Sequence, residues 1–167
     1  MRSGAEIEAV DLLVLPGGES TTIAKAIARD RLGEPIRRHV EAGRVLFGTC
    51  AGMILCDRNH LGLIDAVAVR NAYGRQAQSF EVELDIAALG ERPLSAVFIR
   101  APRIAEHGAA VEVLARHDDD PVVVCQGSVL CATFHPELTD DLRLHEYAVA
   151  LCQRPDDEMK ESGSVAR

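Results

Sequence analysis

The chain contains no run approaching the roughly 18 consecutive apolar residues that a membrane-spanning helix needs. Its opening residues, MRSGAEIEAVD, have no apolar core of the secretory-signal type, so the expected compartment is the cytoplasm. A basic stripe is also missing. Eighteen Lys and Arg face 26 Asp and Glu, a formal net charge of −8, and phosphate binding needs clustered cations, so no nucleic-acid partner is expected. The five cysteines (50, 56, 125, 131 and 152) are odd in number and have no CxxC spacing, which argues against a disulfide framework or a zinc site. No metal site and no organic cofactor are expected.

What remains is an ordinary globular composition, 47% hydrophobic and 26% charged over 167 residues, the size of one domain with a real core. The acidic surplus favours solubility and can steer docking onto a basic protein surface. Apolar stretches alternate with helical patterns, the pattern of an α/β fold with a largely parallel sheet. Strands are predicted at 11–16, 44–47, 66–70, 79–84, 95–100, 111–117, 121–126 and 128–134. The last two are read as a hairpin turning at Gln126-Gly127. Helices are predicted at 21–32 (capped by Ser20 or Thr21), at 35–42, from Ala51 to Cys56, and at 142–153 with Leu144, Tyr147, Ala148 and Leu151 on one face. One domain over 1–153 is expected, followed by a polar, disordered tail over 154–167.

Three stretches carry chemistry. Val45–Gly52 (VLFGTCAG) runs from a hydrophobic strand through Gly-x-Cys-x-Gly into helix formers, the sulfur version of a nucleophile elbow. Gly48 and Gly52 let backbones approach closely, and the positive end of the next helix favours a thiolate at Cys50. The N–H groups of that helix can also stabilise an oxyanion. Cys56, Cys125, Cys131 and Cys152 lie in apolar surroundings and are expected to be inert thiols. In ATFHPEL (132–138), His135 can move protons and Glu137 can hold its imidazole, with Pro136 restricting the geometry between them. In LVLPGGESTT (13–22) a strand ends in Pro-Gly-Gly, whose freed N–H groups can face a ligand or simply make a turn before a capped helix.

Together these residues resemble the class I, triad-type glutamine amidotransferases. In detail they resemble the glutaminase subunits of pyridoxal 5′-phosphate synthase, the PdxT/SNO family. The resemblance spans about 11–153 and rests on LPGGESTT (15–22), FGTCAGM (47–53), HLGL (60–63), VRNAYGRQ (69–76), SFE (79–81), FIRAP (98–102) and FHPELT (134–139). It implies a flavodoxin-like three-layer α/β sandwich, with Cys50 as nucleophile and His135 and Glu137 as its relay. It further implies glutamine contacts from Gly18, Glu19, Ser20, Arg70, Ile99 and Arg100, and a synthase (PdxS-type) partner receiving ammonia in a hetero-oligomer. Arg fits a substrate α-carboxylate because its guanidinium offers a forked donor, and Glu19 could take the α-ammonium. Against that pattern the chain is expected to lack the N-terminal strand-helix unit with its GLQG loop, which would expose a sheet edge. The segment between Cys50 and His60 is also short. A glutaminase serving another pathway, and a subunit that docks without turnover, stay open as rivals.

Overall fold

The computed structural model describes residues 3–70 and 79–153. Along the chain the helices and strands are α1 (Gly4–Glu8), β1 (Leu12–Leu15), α2 (Ser20–Arg29), α3 (Gly33–Glu41), β2 (Val45–Thr49), α4 (Ala51–Cys56), β3 (Ala66–Val69), β4 (Ser79–Leu84), β5 (Leu94–Ile99), β6 (Arg103–His107), β7 (Glu112–His117), β8 (Asp120–Gln126), β9 (Val129–Ala132) and α5 (Arg143–Leu151). The expected tail over 154–167, and most of the VRNAYGRQ stretch, lie outside the described residues.

The central sheet has the order β1-β2-β9-β8-β7. β1 pairs with β2 and β2 with β9 in parallel, while β8 is antiparallel to both of its neighbours. Four of the five strands therefore run in one direction, and the expected mostly parallel sheet is present. Its middle strands are buried on both faces, which is why they read as continuous apolar runs. Along β2, Val45 and Phe47 enter one core and Leu46 the other; Leu130 and Val129 alternate likewise on β9. The first core is closed by Leu144, Ala148 and Leu151 of α5 and by Leu94, Ala96 and Phe98 of the β4–β5 hairpin. Ile7, Ile36, Met53 and Leu55 from the remaining helices close the second. Each fully buried Phe or Leu contributes roughly 1.5–3 kcal/mol, so these two layers hold the sheet between them. β1 lies at the sheet edge, with Val14 45% exposed.

Three local features differ from the sequence reading. The cap of α2 is Glu19, not Ser20 or Thr21: its carboxylate accepts from the N–H groups of Thr21 (3.0 Å) and Thr22 (2.7 Å), and Ser20 is buried inside the helix. A carboxylate gives each of two orphan N–H groups its own oxygen and adds a negative charge at the positive helix end, where a hydroxyl offers one neutral oxygen. α1 was not expected, although Ser3 and Glu6 form a reciprocal capping box. β6 was not expected either; it exists because β3 supplies an antiparallel partner, and only Ile104 of its five residues is buried. The Gly127 hairpin matches expectation, with φ +56 at the turn.

Candidate active site

Cys50 sits between β2 and α4 with φ 48 and ψ −103, a conformation that non-glycine residues rarely adopt. The surroundings hold it there. Its N–H donates to the Ala132 carbonyl (2.9 Å), and α4 starts at once, so the side chain is projected from the carboxyl end of the sheet. Both flanking glycines are required. A Cβ on Gly48 would lie 3.0 Å from the Cys56 Sγ, and one on Gly52 would run into the Leu15 backbone, 2.8 Å from its carbonyl carbon.

His135 leaves β9 three residues after its end, with its N–H donated to the Val97 carbonyl of β5 (2.9 Å). Its Nδ1 lies 2.8 Å from Glu137 Oε1. A carboxylate only accepts, so Nδ1 carries the proton and Nε2 is left for the Cys50 thiol. His135 is pushed up to about 9, first by its hydrogen bond with Cys50 and then by Glu137, while burial opposes the shift. The other thiols lie in different settings. The hydrogen bond of Cys56 with Cys131, then burial, pushes Cys56 well up, and burial raises Cys152.

One open pocket of about 360 Å³ is lined by Gly18, Glu19, Ser20, Cys50, Ala51, Ile54, Arg70, Ile99, Arg100 and His135. Every sequence-predicted substrate residue therefore reaches the same cavity as Cys50, and Glu137 stands behind His135. Arg70 donates to the Thr21 hydroxyl (3.0 Å), and Arg100 is held at φ 45. The Ile99 carbonyl lies 3.9 Å from the Cys50 Sγ. Glu19 is lowered to about 2 by the Thr22 hydroxyl and then by the Thr21 and Thr22 N–H groups, so it is a fixed negative charge. Two contributors escaped the sequence reading. A Cβ on Gly17 would lie 2.8 Å from His135 Nδ1, so that glycine makes room for the ring rather than only for a turn. Thr49, buried, takes the Gly17 N–H on its hydroxyl (3.1 Å) and pins the loop to the end of β2. A Gly-Gly pair in sequence carries no signal separating these uses.

An elbow cysteine beside a carboxylate-steered histidine, above a mostly parallel sheet, places the molecule in the class of glutamine amidotransferase folds. A crystal structure of a glutamine amidotransferase matches it with a TM-score of 0.86 at 44% identity, covering 92% of this chain and 85% of that one. The fold extends to PurLQS from Thermotoga maritima, with a TM-score of 0.63 at 19% identity over 84% of this chain and 79% of that one. Within that class the chain belongs to the SNO glutamine amidotransferase family, whose model matches residues 1–154. It is 50% identical over 161 residues to the pyridoxal 5′-phosphate synthase subunit PdxT of Pelotomaculum thermopropionicum, covering 92% of this chain and 82% of that protein. To PdxT of Moorella thermoacetica it is 49% identical over 154 residues, 88% of this chain and 82% of the relative. No helix among the described residues is long and apolar enough to cross a membrane.

Proposed function

We propose that this chain hydrolyses the side-chain amide of L-glutamine at Cys50 and hands the ammonia to a pyridoxal 5′-phosphate synthase subunit. The observation that carries the reading is the Cys50 elbow, at φ 48, sharing one pocket with His135, Arg70 and Arg100. The synthase partner is supported by the PdxT relatives, which are named as subunits of that synthase. The surplus of acidic residues suits docking onto a basic protein surface.

In this reading Arg70 and Arg100 receive the α-carboxylate, Glu19 receives the α-ammonium on lone pairs its cap leaves open, and Gly18, Ser20 and Ile99 shape the rest of the pocket. The Cys50 sulfur attacks the amide carbon while His135 Nε2 holds the proton. The oxygen then carries the charge that N–H groups must meet. Cys50's own N–H is spent on Ala132 and that of Gly17 on Thr49, so among the described residues Ala51, first in α4, and Gly18 are the N–H donors we assign to that oxygen. Collapse breaks the C–N bond, His135 gives its proton to the leaving nitrogen, and a γ-glutamyl thioester remains on Cys50. His135 then takes a proton from water, whose oxygen attacks the thioester, and glutamate leaves as the sulfur recovers its electron pair. Water and glutamine balance every step.

The test is labelling with 6-diazo-5-oxonorleucine, with and without the synthase. Mass spectrometry should find the label on Cys50 alone, and ammonia release should rise when the synthase is added. Label on Cys56 or Cys125, or glutaminase activity indifferent to the synthase, contradicts the reading.

A further inference from the structure

Asp57 is the only buried carboxylate among the described residues, and none of the steps above uses it. It closes α4, the helix that begins at the nucleophile, and its side chain is 1% exposed. A carboxylate so placed is costly unless hydrogen bonds replace its water. Its two oxygens have different work. Oδ1 accepts from the Asn59 N–H (2.9 Å) and His60 Nδ1 (2.7 Å), both within the tight turn that follows α4. Oδ2 reaches away from that turn and accepts the Ala68 N–H of β3 (3.1 Å).

Ala68 is where the β3–β6 ladder slips, with a register shift between Val67 and Ala68. A bulge interrupts pairing and re-aims the strand. The Asp57 oxygen stands in for the strand partner at that point, and the Arg58 N–H donates to the Ala66 carbonyl (2.9 Å), so residues 57–58 act as a short substitute strand. Two residues beyond Ala68 comes Arg70, which lines the pocket around Cys50. The nearby Arg58 is drawn outward to Asp65 (2.6 Å) and Glu106 (3.6 Å), so His60 is the titratable group that meets Asp57 directly.

We infer that Asp57 is a positioning residue: by holding the Ala68 N–H at the β3 bulge, it fixes where Arg70 meets the substrate's α-carboxylate. A purely local turn residue would need only the Oδ1 contacts. The inference rests on the glutaminase reading above and assigns it a determinant of substrate affinity outside the pocket.

The experiment compares two reagents for Cys50 on the whole chain with its synthase present. 6-Diazo-5-oxonorleucine carries the α-carboxylate; iodoacetamide does not. In Asp57→Asn, a shape-preserving change that leaves one acceptor oxygen, the half-saturation concentration for the glutamine analogue should rise on the order of tenfold, as for loss of one charge-assisted contact. Its limiting rate, and the iodoacetamide rate, should stay within about twofold. In an Arg70→Ala background, Asp57→Asn should add less than about twofold, because its route is already gone. His60→Ala, which removes only a turn contact, should leave the half-saturation concentration unchanged. Equal slowing with both reagents, full additivity with Arg70→Ala, or an unchanged half-saturation concentration overturns the inference. If Asp57→Asn has no thermal transition, Asp57→Glu takes the same comparison, with a smaller rise expected than for Arg70→Ala and no effect in that background. Failure of the unaltered chain to take the glutamine-analogue label at Cys50 would instead sink the glutaminase reading itself.

Discussion

Gly17→Ala offers a direct test of how tightly the histidine is seated. A Cβ at position 17 would run into His135 Cε1 and stand 2.8 Å from Nδ1, where ordinary contact begins near 3.4 Å, so the ring must retreat by about 1 Å. That retreat stretches the 2.8 Å bond to Glu137 and carries Nε2 away from Cys50. Misplacing a reacting group by about 1 Å can cost on the order of a hundredfold in rate. The fold has much less at stake. Gly17 is not among the glycines at positive φ, so alanine is compatible with its φ, and the entropy lost by the unfolded chain, which favours folding by about 0.4–1 kcal/mol, works against any contact loss. The expected signature is a synthase-stimulated glutaminase rate down by about a hundredfold with a thermal midpoint within a few degrees. A rate within threefold of the parent would show that the ring is not packed against Gly17, and the role given to that glycine would fall.

His135 should titrate near 9 by NMR, and Cys50→Ala should bring it down toward the ordinary imidazole value, since the thiol is its first cause. The folded value lies above the ordinary 6.5, so the group's contribution to stability is complete below that pH and is lost as pH rises through about 9. Cys50→Ala should flatten the stability profile over that window; an unchanged slope refutes the pairing. His135→Asn should abolish glutamine hydrolysis, whereas Glu137→Gln should weaken it less, because the carboxylate orients and does not carry the proton. The reverse order of damage in one assay would exchange their roles. Gly52→Ala should cost several kcal/mol in chemical denaturation, because its Cβ meets the Leu15 backbone, which has no rotamer to yield. A loss under about 1 kcal/mol would mean that α4 can slide off β1.

The elbow was fully legible: strand, Gly-x-Cys-x-Gly and the helix Ala51–Cys56 follow from apolar burial and the need for two residues without Cβ. The hairpin at Gly127 was legible for a related reason, because a positive φ leaves a mark on residue type. β6 was not, since RIAEH buries only Ile104 and owes its strand conformation to β3, whose residues pair with it across 34 to 41 positions of sequence. Glu19 misled because Ser and Thr are the usual caps, and nothing local says that a carboxylate one residue earlier will turn back. Thr49, and the Oδ2 side of Asp57, carried no signal, because each meets a main-chain N–H more than ten residues away. Local chemistry writes itself into local sequence, whereas supports recruited from elsewhere do not.

The strand β5 has a consequence of a mechanical kind. Its Val97 carbonyl receives the His135 N–H and its Ile99 carbonyl faces the Cys50 sulfur, so the cysteine and the histidine are gauged against alternate residues of one strand. In an extended chain that spacing is fixed by the pleat at roughly 6.6 Å. The two side chains follow the carboxyl ends of two different strands, β2 and β9, and small errors in how those strands settle would otherwise add between the sulfur and the imidazole. Referring both to a single jig makes them common to both partners: a rigid displacement of the hairpin carries both contacts together and leaves the sulfur-to-nitrogen gap unaltered. A one-residue insertion inside β5 would break the jig without touching either reacting group.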